Sequence, residues 1–441
     1  MPKIKSFNLK YMNTLNRSAA PEIQTIKKLD VIQPAKYILS NGIPVYAINA
    51  GTQDIIKIEF IFCAGTFYQQ NKLVAQFTNK MLIEGTKKKS ANEIADTIDF
   101  YGAFIQTDVE KDKAYITLYC LNKHLSNVLP TFEDIIKNAT FPVNEFSIYL
   151  QNQKQQYIVN SQKVNYVART KFPCLIFGNN NPYGVCADID DYNNLQRQSL
   201  IDFYKSYYKA NKCKIIIAGK INHEHHNLLE TYFGKNDWLS NEKIENKNFT
   251  IETLPQKKHF IYKEDALQSA IRIGKSIVNK THPDYMGLQV LNTVLGGYFG
   301  SRLMTNIRED KGYTYGIGSG LISFINSGLF FIASEVGTDV CSKAVDEIYK
   351  ELKLLRTLLI SESELNLVKN YLLGTLLRNA DGPFALSDRY RGLLEYGLDE
   401  TYYTAFVETI NNITPTTLKE LAEKYFSEES MFELIVGKID K

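Results

Sequence analysis

The sequence lacks the features that would tie it to a membrane or to a polyanion. No segment of its 441 residues approaches the run of about 18 apolar residues that a membrane-spanning helix needs. The 51 basic and 48 acidic residues leave a formal charge of only +3, so nothing in the composition argues for nucleic acid as a partner. The N-terminal residues have no apolar run of signal-peptide length. These absences predict a cytoplasmic protein, or one of an envelope compartment if a leader has been removed.

Closely spaced cysteine pairs are also missing. The six cysteines are scattered along the chain, and none stands in a Cys-x-x-Cys pair. Most lie in apolar runs, such as FIFCAG around Cys63 and ITLYC ending at Cys120. We therefore expect buried free thiols in a reducing compartment rather than disulfides or a zinc knuckle.

The chain repeats its own pattern, which is the most informative sign of its organisation. Ser199–Ile221 reads as an amphipathic helix, a polar turn and a strand, and Thr417–Ile439 reads the same way without a gap. The correspondence includes Gly219 and Gly437 near the ends of the two strands. The length suits two domains of roughly 200 residues each. The sequence therefore predicts an internal duplication.

A second pair of segments supports the duplication and indicates the fold class. Tyr101–Cys120 and Tyr315–Val336 each read as a Gly-led strand pair followed by two helical stretches. Strands and helices mix without the regular alternation of a parallel doubly wound fold, so we expect two tandem homologous α+β domains. The predicted organisation is an N-terminal extension at 1–29, a first domain at 30–233, a linker at 234–258 and a second domain at 259–441.

Two longer segments carry a family resemblance. AGTFYQQNKLVAQFTNKMLIEGTKKKSANEIADTIDFYGA lies in the first half, and VLGGYFGSRLMTNIREDKGYTYGIGSG lies in the second. With the duplicated halves, these segments resemble the pitrilysin/insulinase-type zinc metallopeptidases of peptidase family M16, which include the mitochondrial processing peptidase and its bacterial two-chain relatives. The resemblance implies a mainly antiparallel sheet packed with helices in each half, as in the LuxS/MPP-like metallohydrolase fold.

The zinc motif of that family is degenerate in this sequence. Active members carry His-x-x-Glu-His on the helix before Met-Leu-x-x-Gly-Thr, because two histidines four residues apart can share one zinc beside a glutamate general base. The MLIEGT frame places Gln76, Asn79 and Lys80 at the three motif positions. Neutral amides are weak ligands, and a protonated lysine puts a positive charge where the dication would bind.

The third zinc ligand that the resemblance implies is missing as well. In the family it is a glutamate on a downstream helix, but this chain has no acidic residue between Glu145 and Asp188. His223, Glu224 and His226 form the one tempting alternative cluster, although a solvated polar helix start is the simpler interpretation. We therefore predict no metal in this chain and zinc only on a partner chain.

The second half keeps the residues that the resemblance assigns to substrate binding. Arg308 and Tyr315 fall on family positions that reach the active site and help to hold substrate and the tetrahedral intermediate. A guanidinium can donate two parallel hydrogen bonds and a phenol can donate one. The structural alternative is an Arg308 paired with Glu309 or Asp310, and Tyr315 as an ordinary strand residue.

The Gly-rich segment LGGYFGSRL precedes the predicted helix that carries Arg308. Gly296, Gly297 and Gly300 could form a loop that allows close backbone approach to a peptide. Adjacent glycines can equally well just end a helix. Both interpretations stay open from the sequence.

The leading functional hypothesis is a non-catalytic subunit of a heterodimeric zinc peptidase. In bacterial two-chain relatives, one chain brings zinc on its first half and a metal-free chain brings the Arg/Tyr pair on its second. By this resemblance, the protein binds extended, unfolded peptides and supplies Arg308 and Tyr315 to the active site of a zinc-bearing homologous chain. On its own it is predicted to be inactive.

Other readings stay open. A binding or scaffold protein of the same fold would have no role in proteolysis, although such a protein has no need of an oxyanion donor. An autonomous peptidase would need metal ligands that we do not find in the sequence. A homodimer is also compatible with tandem similar halves, because they can pair through the same surfaces.

Overall fold

The computed structural model describes Ser18, Ile26 and residues 32–240, 249–251 and 255–439. The predicted N-terminal extension lies outside the described residues except for two positions, and so does part of the predicted linker. No helix within the described ranges is long and apolar enough to cross a membrane. The predicted domain boundaries remain predictions.

The first half of the chain builds one six-stranded sheet. Its strands are β1 (Ala35–Ile38), β2 (Pro44–Asn49), β3 (Ile55–Phe62), β4 (Phe104–Val109), β5 (Ala114–Leu121) and β6 (Cys213–Gly219). They lie in the order β1-β2-β6-β3-β5-β4, and only β2 and β6 pair in parallel. The helices of this half are α1 (Val74–Lys80), α2 (Ala91–Phe100), α3 (Leu125–Asn138), α4 (Val143–Asn160), α5 (Val164–Phe177), α6 (Ile189–Asn194), α7 (Arg197–Tyr207) and α8 (His223–Phe233).

The second half builds a five-stranded sheet. Its strands are β7 (Lys258–Tyr262), β8 (Gln268–Ile277), β9 (Thr314–Phe324), β10 (Ser327–Gly337) and β11 (Phe432–Gly437), in the order β7-β11-β8-β10-β9. The helices are α9 (Tyr285–Asn292), α10 (Cys341–Thr357), α11 (Glu362–Arg378), α12 (Pro383–Leu394), α13 (Thr401–Asn412) and α14 (Pro415–Tyr425). Two π-helical segments, Thr293–Gly297 and Met304–Asp310, connect α9 to β9.

The strand order confirms the predicted fold class and duplication. β7-β11-β8-β10-β9 repeats the pattern β2-β6-β3-β5-β4, with the parallel pair at the same place in both sheets. The hairpins β4–β5 and β9–β10 coincide with the two predicted strand pairs. The predicted helix–turn–strand repeats appear as α7 with β6 and as α14 with β11.

The two halves exchange one helix each. Helix α5 of the first half packs Phe172 and Ile176 against the second sheet, where they meet Leu434 of β11. Helix α12 of the second half packs Leu386 and Leu394 against the first sheet. Each sheet is thus covered on one face by a helix from the other half, so burial of apolar surface ties the halves together.

One pair of cysteines corrects the prediction of free thiols. The sulfur atoms of Cys174 and Cys186 form a disulfide whose Cα atoms lie 6.4 Å apart. The chain returns tightly after α5, and this close approach requires glycine at position 184. A Cβ on Gly184 would lie only 2.1 Å from the carbonyl oxygen of Gly178. The other four cysteines form no disulfide among the described residues; Cys63 is half-buried, and Cys120, Cys213 and Cys341 are buried.

Candidate functional site

Helix α1 carries the three degenerate motif residues, and it points them to different surroundings. The helix begins after Leu73, which adopts a left-handed conformation at φ 71°. Gln76 is exposed to solvent, whereas Asn79 is fully buried and Lys80 is half-buried. The two outer motif positions are thus the more open ones, and the middle position is part of the core.

Asn79 is held by hydrogen bonds that a glutamate could not make. Its Nδ2 donates to the phenol oxygen of Tyr208 at 3.1 Å and to the backbone carbonyl of Tyr115 at 3.3 Å. Its Oδ1 is buried and has no partner among the described residues. The side chain therefore acts as a buried donor, which is the opposite of what a general base requires.

The ammonium group of Lys80 forms a hydrogen bond within the protein. Its Nζ donates to the backbone carbonyl of Thr107 on β4, the edge strand of the first sheet. Together, an ammonium, a hydrogen-bonded buried amide and an exposed amide do not fit a zinc ion, which prefers imidazole, thiolate or carboxylate ligands. The residues present on α1 therefore cannot carry the family's zinc chemistry.

Helix α4 is the helix on which the family resemblance places the third zinc ligand. The only acidic residue of α4 is Glu145, in its first turn. Burial, and then the charge of the Glu145 carboxylate, raises the pKa of Glu84. The described residues contain no group of three or more His, Cys, Asp or Glu side chains that could hold a metal ion.

The histidine-rich segment is the start of α8 and serves that helix. Asn222 caps the helix by accepting from the backbone N–H of His225, and the Nδ1 of His225 accepts from the backbone N–H of Asn222. His226 packs against the ring of Tyr37, with centroids 4.4 Å apart. These contacts support the polar helix start over a metal site.

Arg308 and Tyr315 lie on one groove in the second half. The groove has a volume of about 540 Å³ and is lined by Gln268, Arg308, Glu309, Gly312, Tyr313, Thr314, Tyr315 and Gly337. Arg308 lies in the last turn of the second π-helical segment, and its guanidinium lies over the ring of Phe299, 4.6 Å from the centroid. Tyr315 stands near the start of β9 with 94% of its surface exposed.

The alternative ion pairs for Arg308 are not formed in the described part of the chain. Neither Glu309 nor Asp310 comes within salt-bridge distance of its guanidinium, and both are exposed. A guanidinium supported by an aromatic face keeps its N–H donors available to another partner. The groove contains no residue of α1, so Gln76 and Lys80 do not share a site with Arg308 within this chain.

The glycines before Arg308 have a packing role. A Cβ on Gly296 would lie 2.6 Å from the backbone nitrogen of Ser319 on β9, so only glycine allows this approach. A Cβ on Gly297 would meet Asn292, and one on Gly300 would meet the ring of Tyr298. The segment thus sets the π-helical stretch against the strand that carries Tyr315.

Comparison with known proteins identifies the family of this chain. The sequence model of the insulinase domain of peptidase family M16 matches residues 45–172, and that of the peptidase M16 inactive domain matches residues 194–372. The chain belongs to peptidase family M16. The second of these matches covers Arg308 and Tyr315.

Relatives of this M16 chain cover most of its length. It is 24% identical over 411 residues to an uncharacterized zinc protease of Bacillus subtilis (strain 168), covering 91% of this chain and 97% of the relative. It is 22% identical to a probable inactive metalloprotease of the same strain, covering 78% and 84%. It is 23% identical to the mitochondrial-processing peptidase subunit beta of Bos taurus, covering 97% and 89%.

A solved structure supports the same M16 fold. The crystal structure of a peptidase M16 inactive domain from Pseudomonas fluorescens aligns with a TM-score of 0.81 at 21% identity. The alignment covers 92% of this chain and 99% of that chain. At this level of identity the likeness establishes the fold and nothing about ligands.

A buried ion cluster in this M16 chain escaped the sequence analysis. Lys57 and Glu59 on β3 are 2% and 1% exposed. The Nζ of Lys57 donates to Asp388 at 2.6 Å, and Arg391 donates to Glu59 at 2.7 Å. Both partners lie on the exchanged helix α12. The signal was present, because charged residues alternate within the otherwise apolar strand IIKIEFIF.

Proposed function

We propose that the protein is a non-catalytic subunit of a heterodimeric zinc peptidase. It binds extended peptide and completes the active site of a zinc-bearing homologous chain through Arg308 and Tyr315. The observation that carries the proposal is the contrast between the halves: α1 lacks the family's ligand set, while the half-buried Arg308 and the exposed Tyr315 line one groove. A pure scaffold protein would not need that pair.

The groove offers the chemistry that a peptidase active site needs beside its metal. The Arg308 guanidinium rests on Phe299 and can donate two parallel hydrogen bonds to a peptide carbonyl or carboxylate. The exposed phenol of Tyr315 can donate one hydrogen bond to a developing oxyanion. These donors are placed before substrate arrives, which limits the reorganisation needed during the reaction.

Strand β9 provides a way to hold the peptide. It is an edge strand of the second sheet, and its outer edge pairs with no other described strand. An extended peptide can add to such an edge through backbone hydrogen bonds, with side chains alternating between its two faces. Because Tyr315 is the second residue of β9, a peptide added there would run past the groove.

The zinc must then come from another chain. The relatives of this chain include both a probable inactive metalloprotease and a processing peptidase subunit, which supports a division of labour within the family. A partner of the same duplicated architecture offers matching surfaces to both halves. A homodimer would use these surfaces too, but it would bring no zinc ligands to the groove.

Reconstitution tests this proposal. The partner is an M16 chain with an intact His-x-x-Glu-His motif from the same organism, and the readout is cleavage of an unfolded reporter peptide against the ratio of the two chains. Activity should require both chains and saturate at equal amounts. Arg308→Met and Tyr315→Phe should each lower kcat by about 10²-fold or more, as loss of an oxyanion donor does.

The control variant is Arg378→Met, which removes an exposed arginine at the end of α11. It should leave both cleavage and heterodimer formation unchanged. Heterodimer affinity, measured by analytical ultracentrifugation, should also be unchanged in the Arg308 and Tyr315 variants. Full activity of the zinc-bearing chain alone, or normal cleavage by both variants, would instead favour an inert scaffold.

A further inference from the structure

A second cavity lies where the two exchanged helices approach each other, and it is separate from the Arg308 groove. We call it the junction cavity; its volume is about 500 Å³, within the usual range for a small-ligand site. It is bounded by α5, the β9–β10 hairpin, the β4–β5 turn and the residues after α12. Both halves of the chain therefore contribute to its walls.

The walls of the junction cavity are mainly apolar. Phe172 and Pro173 come from α5, Phe324 and Phe331 from the hairpin, and Leu329 from β10. Phe172, Phe324 and Leu329 are buried, so they present a fixed apolar surface. Such a surface suits an aliphatic or aromatic body and gives little to a fully polar ligand.

The three acidic groups at the cavity, Glu110, Asp112 and Glu395, already have hydrogen-bond partners in the protein. Glu110 accepts from the phenol of Tyr115 at 3.4 Å. Asp112 accepts from the phenol of Tyr183 at 2.7 Å and from the backbone N–H of Ile325 at 3.0 Å. Glu395 accepts a short hydrogen bond from the phenol of Tyr115. Burial raises the pKa of the Asp112 and Glu395 carboxyl groups, so these two groups are protonated more readily than exposed carboxylates.

The cationic groups at the cavity are not neutralised in the same way. The lining includes Lys111, Lys113, Arg169 and Arg272, and none of the four forms an ion pair within the described ranges. Lys113 donates to the sulfur of Cys63 at 3.0 Å. The cavity is thus lined by four cationic side chains against three carboxyl groups.

Two arginines, Arg169 and Arg272, line the junction cavity together. Burial, and then the charge of Arg169, lowers the pKa of Arg272. Arg272 donates to Asn165 Oδ1 at 2.8 Å, while Glu335, the neighbouring carboxylate, is occupied by Asn165 Nδ2 at 2.7 Å. The Arg272 guanidinium also lies 5.8 Å from the centroid of the Phe331 ring. A paired positive charge thus adjoins the aromatic wall.

We propose that the junction cavity binds a carboxylate with an apolar body, its head held by Arg169 and Arg272 and its body packed along Phe172, Phe324 and Phe331. Two guanidinium groups can bind a carboxylate through charge-assisted, bidentate hydrogen bonds. Two sources share this chemistry: the C-terminal end of a peptide with apolar last residues, and a medium-chain fatty acid. The proposal goes beyond the subunit function and does not depend on it.

Calorimetric titration of the full chain with three probes tests the proposal. The probes are the tripeptide acetyl-Ala-Leu-Phe with a free carboxylate, the same tripeptide as its C-terminal amide, and octanoate. At least one carboxylate should bind, and the amide should bind about tenfold more weakly than the acid or not at all if the peptide is the ligand. Binding of the peptide acid alone identifies a peptide end, and binding of octanoate alone identifies a fatty acid.

Matched variants connect the binding to the cavity. Arg169→Met and Arg272→Met keep an apolar stem, and each should weaken the binding of the carboxylate probe about tenfold. Arg378→Met, outside the cavity, should not change it. Arg169 is exposed, so its variant stays informative even if Arg272→Met fails to fold, which near-UV circular dichroism would reveal. Equal binding of acid and amide, no binding of either carboxylate, or unchanged binding by both variants would overturn the proposal.

Discussion

Asn79 Nδ2 lies 3.1 Å from the phenol oxygen of Tyr208, and both side chains are buried. At the middle position of the degenerate zinc motif, the side chain therefore makes a structural hydrogen bond. Burial raises the pKa of Tyr208, so the phenol stays neutral and can accept from the amide. The remaining proton of Nδ2 reaches the carbonyl of Tyr115 at 3.3 Å.

Replacing this amide by a carboxylate should destabilise the protein. In Asn79→Asp, a buried acceptor would face the Tyr115 carbonyl, so we expect a loss of about 3 kcal/mol at neutral pH in urea unfolding. Burial would raise the folded-state pKa of the new carboxyl, so the loss should shrink as the pH falls toward its unfolded value of about 3.9. Gln76→Glu, the same change at an exposed position of α1, should cost less than about 0.5 kcal/mol. An equal effect of the two changes would contradict the burial argument.

Removing Arg391 should be costly because it takes away the closest partner of Glu59, which is 1% exposed. Arg391→Leu leaves the buried Glu59 carboxylate with only the more distant Lys57 ammonium, at 3.6 Å, as a charged partner among the described residues, and we expect a loss of about 3 kcal/mol in the free energy of unfolding. Adding Glu59→Gln should recover part of that loss in a double-mutant cycle. Arg378→Leu is the exposed control, and a comparable loss there would refute the ion-cluster explanation.

Glu395 should make stability depend on pH. Burial raises its pKa above the ordinary 4.5, so the folded state favours the protonated carboxyl. As the pH rises above the unfolded pKa of this carboxyl toward neutrality, Glu395 therefore lowers the free energy of unfolding of the wild type. Glu395→Gln, which cannot ionise, should gain stability relative to the wild type between pH 4.5 and pH 7, measured by thermal unfolding. A constant difference across that range would contradict the assignment.

Gly296 should resist substitution although it lies in a segment that could have been a flexible loop. The Cβ of Gly296→Ala would clash with the backbone of Ser319, and we expect a loss of about 1–3 kcal/mol and a disturbed β9. Gly374→Ala in α11 is the matched control, because its Cβ would meet nothing within 4 Å. That change should be neutral or stabilise the protein by up to about 1 kcal/mol. Similar effects in both variants would argue against close packing at Gly296.

The duplication was predictable from sequence because it rests on local pattern. Gly219 and Gly437 match in the repeat, and both have positive φ, at 134° and 140°. A Cβ would lie 2.4 Å from the carbonyl oxygen of Ile55 at the first and 2.5 Å from Ser269 Oγ at the second. Both strands therefore need glycine for the same steric reason, and the sequence preserves it visibly.

Features that depend on long-range packing were not predictable. The exchange of α5 and α12 joins segments far apart in the chain, so neither the partners of the buried charges on β3 nor the junction cavity could be derived from local pattern. The cap of α11 shows a smaller case: Ser361 accepts from the backbone N–H of Glu364, as the local Ser-x-x-Glu pattern favours. The same pattern favours a capping box, but the Glu364 carboxylate instead binds Arg302 at 2.8 and 2.9 Å.

The central claim is that the first half of this chain does not support zinc chemistry by itself. The most direct test is the zinc content of the purified chain by mass spectrometry, measured together with cleavage of an unfolded reporter peptide with and without added zinc. We expect no stoichiometric zinc and no cleavage under either condition. About one zinc per chain with chelator-sensitive cleavage would contradict it, and would direct the search for ligands to His223, Glu224 and His226 on α8.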